Sequence, residues 1–198
     1  MTAPAHPELW LLRHGATAWA RDGRHTSSTD LPLLNEGEEQ ARQLAPLLAT
    51  VGFAAVLVSP LQRARQTCDL AGLGAKAEIC DDLREWNYGS YEGLTTAEIR
   101  RSVPGWTIWS HPCPEGEDAH AVEARCKRVI ARALTLAAAE GRVALVAHGH
   151  ILRSLAGCWL GLGATGGRLL VLGTAGISVL GQEREQHAIL RWNATTGS

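Results

Sequence analysis

Leu12-Arg13-His14-Gly15-Ala16-Thr17 closes the apolar run 9–12, and its reading decides the fold. The run is short and aliphatic and is followed by glycine, the pattern of a buried strand that ends in a sharp turn. Such a strand delivers Arg13 and His14 to its carboxyl end, where ligands bind in open α/β sheets. A cation beside an imidazole there suits a phosphate or another anion. Alone, the pair has a plainer reading, a strand-end histidine in a structural hydrogen bond. Later segments argue against it.

Two further apolar runs, 54–58 and 143–147, have the continuous hydrophobicity of strands buried on both faces. Each is followed at once by residues that can bind or react. After the first comes Ser59-Pro60, a cap and first-turn proline that predict a helix with Arg63 in its first turn. After the second comes His148-Gly149-His150, then a helical stretch, 151–160. Residues 19–35 read as loop, and Asn35 with Glu38 as a helix start. Pro46 is expected to kink or break that helix. A short strand is expected at 76–80, no regular period over 81–93, a capping box at Thr95 and Glu98, and loop over 106–116. A long helix is expected from Asp118 to about Glu140, ended by Gly141. The runs 169–172, 177–180 and 188–192 read as the last strands, the final two as a hairpin. This alternation implies a three-layer α/β/α sandwich whose central sheet is mostly parallel, with an antiparallel edge near the C-terminus. His14 and His148 then end separate strands on one side of the sheet.

The chain has 198 residues, is 45% hydrophobic and 20% charged, and carries a formal net charge of -1. That describes one globular domain with a substantial core. The balance gives no electrostatic case for nucleic acid or an acidic membrane surface, whereas a cationic pocket for a small phosphorylated metabolite is compatible with it. Cys68, Cys80, Cys113, Cys126 and Cys158 show no CxxC pair and no zinc spacing, so they read as core thiols in a reducing compartment. The first residues lack the pattern of a signal peptide, and no apolar run is long enough to cross a bilayer. The expectation is a cytoplasmic protein. Pairing of edge strands into a homodimer is compatible with the sequence and not demanded by it.

Arg13, Arg63, His14 and His148 therefore converge in expectation. Two guanidiniums hold a phosphate through charge-assisted bonds, and helix N-termini after Pro60 and His148 add donors. An imidazole among them can attack phosphorus if its other ring nitrogen is held as N–H, for instance by a backbone carbonyl. A second, cationic histidine would stabilise the equatorial oxygens. These groups supply the charge that a metal otherwise supplies, so no metal is expected. Glu85, in an irregular aromatic-rich stretch, is the candidate proton donor to the leaving alkoxide. His25, His111, His120 and His150 read as surface or packing residues, and Asp81-Asp82 as a solvated turn. Trp106 and Trp109 fit either a cap or core, or the walls of a pocket.

Leu12-Arg13-His14-Gly15, Ser59-Pro60-Leu61-Gln62-Arg63-Ala64, Glu85 with Tyr88-Gly89, Tyr91-Glu92-Gly93 and His148-Gly149 resemble, in order, the motifs of the histidine phosphatase superfamily, the phosphoglycerate mutase-like proteins. The resemblance implies that His14 becomes phosphohistidine. It implies Arg13, Arg63 and His148 as the phosphate pocket, with the Gly149 backbone nearby, Glu85 as proton donor and Thr26 as a substrate contact. It implies no metal and no organic cofactor. It also implies one domain over 1–198, with a small cap around 86–117. Mutases usually carry Asn where Ala20 stands. Their Glu-Arg-His-Tyr-Gly is here Glu85-Trp86-Asn87-Tyr88-Gly89, and only Arg100-Arg101 lies near their carboxylate-gripping segment. Trp106-Thr107-Ile108-Trp109 and Cys113-Pro114-Glu115-Gly116-Glu117 resemble instead an acid phosphatase and sugar-bisphosphatase branch, with Glu117 starting the long helix. The function so implied is a metal-independent phosphomonoesterase acting on small phosphate esters, sugar phosphates or bisphosphates among them. A cofactor-dependent phosphoglycerate mutase is the alternative, and a non-catalytic phospholigand-binding module a more distant one.

Overall fold

The computed structural model describes residues 6–138 and 141–195. Among them six strands form one sheet: β1 (Glu8–Arg13), β2 (Phe53–Val58), β3 (Ala77–Ile79), β4 (Arg142–Ala147), β5 (Ile177–Glu183) and β6 (Gln186–Ala194), in the order β3-β2-β4-β1-β5-β6. The first four are mutually parallel, while β5 runs antiparallel to β1 and to β6. The expected mostly parallel sheet with an antiparallel edge is therefore present.

Alternation along the strands builds two cores. Leu9, Leu11, Leu57, Val143 and Leu145 face Val122, Cys126 and Val129 of α5 (Ala119–Ala137) and Ile151, Leu152 and Leu155 of α6 (Gly149–Trp159). Trp10, Leu12, Val56, Val58, Ala144 and Val146 face Leu44 and Leu48 of α2 (Asn35–Leu48) and Ala64 and Cys68 of α3 (Gln62–Leu70). Two short helices, α1 (Ala18–Arg21) and α4 (Thr96–Ser102), complete the set; α4 carries the expected Thr95–Glu98 capping box. No described helix is long and apolar enough to cross a membrane.

Several local expectations are corrected. The loop over 19–35 begins inside α1, because the Thr17 side chain accepts from Ala20 N–H and caps a turn. Asn35 does not cap α2; it is the first helical residue, and Leu34 is fixed instead by donating to Ala16 O at 2.9 Å. Pro46 leaves α2 unbroken: the helix runs on for two residues to Leu48, with Pro46 exposed. Ser59 does not cap α3, whose N-cap is Leu61. Helix α5 stops at Ala137, and the expected end near Glu140 lies outside the described residues. The run 169–172 joins no sheet. Its carbonyls are taken by side chains instead: Leu172 O by Arg13, and Val171 O by Trp192 Nε1 at 2.6 Å.

One close approach sets the position of His14. A Cβ on Gly15 would lie 2.2 Å from Gly37 O, and a Cβ on Gly37 would lie 2.2 Å from Ala16 O. The first turn of α2 thus rests directly on the backbone after His14. Gly37→Ala forces backbone apart and is expected to cost about 1–3 kcal/mol, a fall of several degrees in Tm. A thermal melt followed by circular dichroism measures it, and an unchanged Tm would refute the contact.

Candidate active site

The sheet itself brings the two histidines together. Arg13 is in register with Ala147 on the neighbouring parallel strand, so the next residues, His14 and His148, stand side by side. Their ring centroids are 5.2 Å apart at 60°. His14 N–H donates to Ala147 O at 2.9 Å, and Ser59, just past β2, donates to Val146 O at 3.0 Å.

His14 is 5% exposed, and its Nδ1 lies 2.7 Å from Gly15 O. A carbonyl only accepts, so Nδ1 carries the proton and Nε2 keeps its lone pair. Burial, then the charges of Arg13 and Arg63, hold its pKa well below the usual 6.5. Gly15 N–H donates to Thr67 Oγ1 at 3.0 Å, and that hydroxyl donates to Arg63 O at 2.8 Å. The turn after His14 is therefore bonded to α3.

A cavity of about 270 Å³ opens beside this ring. Of the residues expected at the site, Arg13, His14, Thr26, Glu85 and Gly149 line it. Arg13 donates through Nη1 to Leu172 O, while its buried Nε has no hydrogen-bond partner. A Cβ on Gly149 would touch the guanidinium carbon of Arg13 at 3.4 Å, so the cation lies along the first turn of α6. Thr26 Oγ1 donates to Arg24 O at 3.1 Å.

Arg63 and His148 do not line the cavity; at 1% and 0% exposed they form the wall behind it. Arg63 Nε donates to His148 Nδ1 at 3.1 Å, Nη1 to Thr29 O at 3.1 Å, and Nη2 to Thr26 O at 3.1 Å and Ser27 O at 3.3 Å. Since guanidinium N–H always donates, His148 Nδ1 is the acceptor, and its proton sits on Nε2, 2.7 Å from Ser59 Oγ. Burial first, then Arg63 and His14, push its pKa well below 6.5. The second histidine is thus neutral here, and the cation at this position is Arg63. Glu85, 7% exposed, accepts from Trp86 N–H (2.9 Å) and Ile151 N–H (2.8 Å) at Oε1, and from His150 N–H (2.9 Å) at Oε2. The carboxylate closes the N-terminus of α6.

The family pattern of the histidine phosphatase superfamily (branch 1) matches residues 9–195. The chain belongs to that superfamily. It is an enzyme of the histidine phosphatase, phosphoglycerate mutase-like kind. It is 41% identical over 177 residues to an acid phosphatase of Mycobacterium tuberculosis, covering 88% of this chain and 86% of that protein. It is 37% identical over 186 residues to the sedoheptulose 1,7-bisphosphatase of Saccharomyces cerevisiae, covering 79% and 69%. A solved structure of an open reading frame product from Mycobacterium tuberculosis superposes with a TM-score of 0.91 at 38% identity, covering 96% of this chain and 98% of that one.

In this histidine phosphatase two of the histidines read as surface or packing residues, His25 and His150, do pack against aromatic rings, and both also line the cavity. Burial lowers the His25 pKa to about 4, and that of His150 well below 6.5. Tyr88 OH lies 2.6 Å from His150 Nδ1, and its ring centroid 4.7 Å from that of His25. The available signal was position: His150 follows His148 by two on the same helical turn, and His25 adjoins Thr26. Trp106, 1% exposed, is core, whereas Trp109 packs edge-on to His150 at 5.2 Å. Arg100 is bound to Trp106 O at 2.8 Å and stands apart from the cavity lining. Glu117 is a brace: Arg125 grips both its oxygens at 2.7 Å, and Asp118, not Glu117, caps α5. His120 is exposed, as expected.

Proposed function

We propose that this protein is a metal-independent phosphomonoesterase that hydrolyses small phosphate esters, sugar phosphates or bisphosphates among them, through a phosphohistidine on His14. The observation that carries this reading is the His14 Nδ1–Gly15 O bond, which leaves an unprotonated Nε2 on a ring that lines the same cavity as Arg13, whose Nε has no partner among the described residues. The substrate phosphoryl group lies against Arg13 and the Gly149 backbone. Nε2 attacks phosphorus, the ester P–O bond breaks, and the leaving oxygen takes a proton from Glu85. Water then attacks the phosphohistidine, gives its proton to Glu85, and phosphate leaves with His14 restored. Oε2 is the proton-carrying oxygen in this scheme, since it holds one backbone donor where Oε1 holds two. Arg63 and His148 act from behind the ring, where low dielectric lets the Arg63 charge reach the phosphoryl group. These guanidiniums supply the positive charge, so no metal enters the scheme.

Segment 86–117 serves as a cap on a single domain. Tyr88 from this segment reaches the cavity lining. Its two limbs clasp: Gly89 has φ +52°, with Pro114 O 2.0 Å from where a Cβ would be, and Gly116 has Asn87 O at 2.4 Å.

The test is release of phosphate from p-nitrophenyl phosphate in excess chelator, with acid-quench trapping of the phosphoenzyme. Turnover in chelator with label on His14 supports the reading; inactivity across a broad phosphate panel ends it. Interconversion of phosphoglycerates stimulated by 2,3-bisphosphoglycerate would point to the mutase. The same assay reads pH dependence. A lowered His14 pKa keeps Nε2 unprotonated in mild acid, so the acid limb of kcat/KM should fall well below the ordinary 6.5. A limb at or above 6.5 would contradict it.

A further inference from the structure

Arg153 lies one turn beyond Gly149 on α6, and it shares the cavity lining with Arg13. Its position is fixed twice. Nε donates to Gly167 O at 3.1 Å, and the guanidinium carbon stands 4.7 Å from the centroid of the Trp109 ring. Gly167 makes room for this platform, because a Cβ there would lie 2.7 Å from the Trp109 ring and 2.8 Å from the Arg153 backbone. The terminal nitrogens of Arg153 bond to no described residue, and no described carboxylate is within ion-pair distance of them.

The lining therefore carries three guanidiniums, Arg13, Arg24 and Arg153, and one carboxyl group, that of Glu85. That carboxyl group is already engaged by three backbone N–H groups. Arg24 is partly answered: Nη1 donates to Gly93 O at 2.7 Å and lies 3.7 Å from the Glu98 carboxylate. One phosphoryl group at His14 accounts for Arg13. Arg153 is left partly buried and held over the Trp109 ring, its terminal nitrogens bonded to no described residue. A desolvated, pre-positioned guanidinium of this kind binds a planar carboxylate or a phosphate in two-point fashion.

We propose that Arg153, laid over Trp109, reads a second anionic group of the substrate, so that the preferred phosphomonoesters carry a phosphate or carboxylate at the end remote from the scissile bond. The proposal rests on the phosphatase reading of His14. It assigns the second anion to α6, not to the Arg100-Arg101 pair.

The test compares three matched series of linear compounds: alkanediol bisphosphates, phosphorylated hydroxy acids and alkyl monophosphates. For the wild type, kcat/KM should favour the doubly anionic compound over its monophosphate by about 10- to 100-fold. Arg153→Gln should collapse that ratio towards one, and Arg153→Lys should restore part of it. The bisphosphate and carboxylate series show which anion is read. A wild-type ratio near one, or an equal fall on both substrates in Arg153→Gln, would overturn the proposal. Calorimetry of the wild type with a bisphosphonate and the matched monophosphonate gives a second readout, independent of turnover and of how the variant folds. Tighter binding of the bisphosphonate by about tenfold or more is expected, and equal binding also overturns the proposal. Failure of the hydrolysis reading looks different: no ester, p-nitrophenyl phosphate included, would release phosphate.

Discussion

His14→Ala is expected to lower kcat for phosphate release by about 10⁴-fold or more, the scale seen when a covalent nucleophile is removed. The neighbouring rings have partners of their own, His25 Nε2 lying 3.3 Å from Thr96 Oγ1. His148 has both nitrogens engaged, by Arg63 and Ser59, and His150 Nδ1 lies against the Tyr88 hydroxyl. Fold and binding should survive the change. The His14 side chain holds only the Gly15 carbonyl, and the strand is anchored by its backbone. Arg13 and Gly149 remain, so phosphate or vanadate should still bind. The measurement is single-turnover phosphate release with labelled substrate, beside a thermal melt. Residual activity within about tenfold of wild type, or label still attached to the alanine variant, would remove His14 from the reaction.

Arg63→Ala is expected to lower kcat/KM by about 10²–10³-fold, the loss typical of one positioned charge-stabilising group, although its side chain does not line the cavity. Three backbone carbonyls, of Thr26, Ser27 and Thr29, lose their donor, and so does His148 Nδ1. Each buried acceptor left alone costs about 1–3 kcal/mol, so Tm should fall as well. Arg63 is in these terms a positioning residue. It fixes the loop that carries Thr26 and the tautomer of His148. Its removal also takes away a charge that depresses the His14 pKa, so the acid limb of kcat/KM should move up in pH. That shift separates electrostatic work from mere destabilisation. Activity within about tenfold of wild type together with an unmoved limb would refute this role.

The parallel strands were legible because 9–12, 54–58 and 143–147 are apolar throughout, as only doubly covered strands are. His14, Arg13, Glu85 and Gly149 were legible because each sits at or beside the end of such an element, or in an irregular stretch with no packing period. What the sequence hid was set by contacts distant along the chain. Nothing local shows that the run 169–172 lies outside the sheet, with Leu172 O taken by Arg13. Arg153 reads as one more exposed-face residue of a helix until Trp109, 44 positions earlier, is seen beneath it. Gly37 looks like a weak point in α2, yet it is where that helix touches the backbone after His14. The neutral state of His148 follows from Arg63, whose direction no spacing rule supplies.

The carboxylate at position 85 is also the stopper of a helix, since it takes the first free N–H groups of α6 at His150 and Ile151. Under the proposed scheme, chemistry and architecture are therefore welded together at that side chain and separate at His14. A lineage descended from this protein that abandoned turnover could let the nucleophile drift while keeping its shape. The glutamate would persist long after its reaction was gone, so a retained Glu85 is poor proof of a living enzyme, and a retained His14 is much better proof.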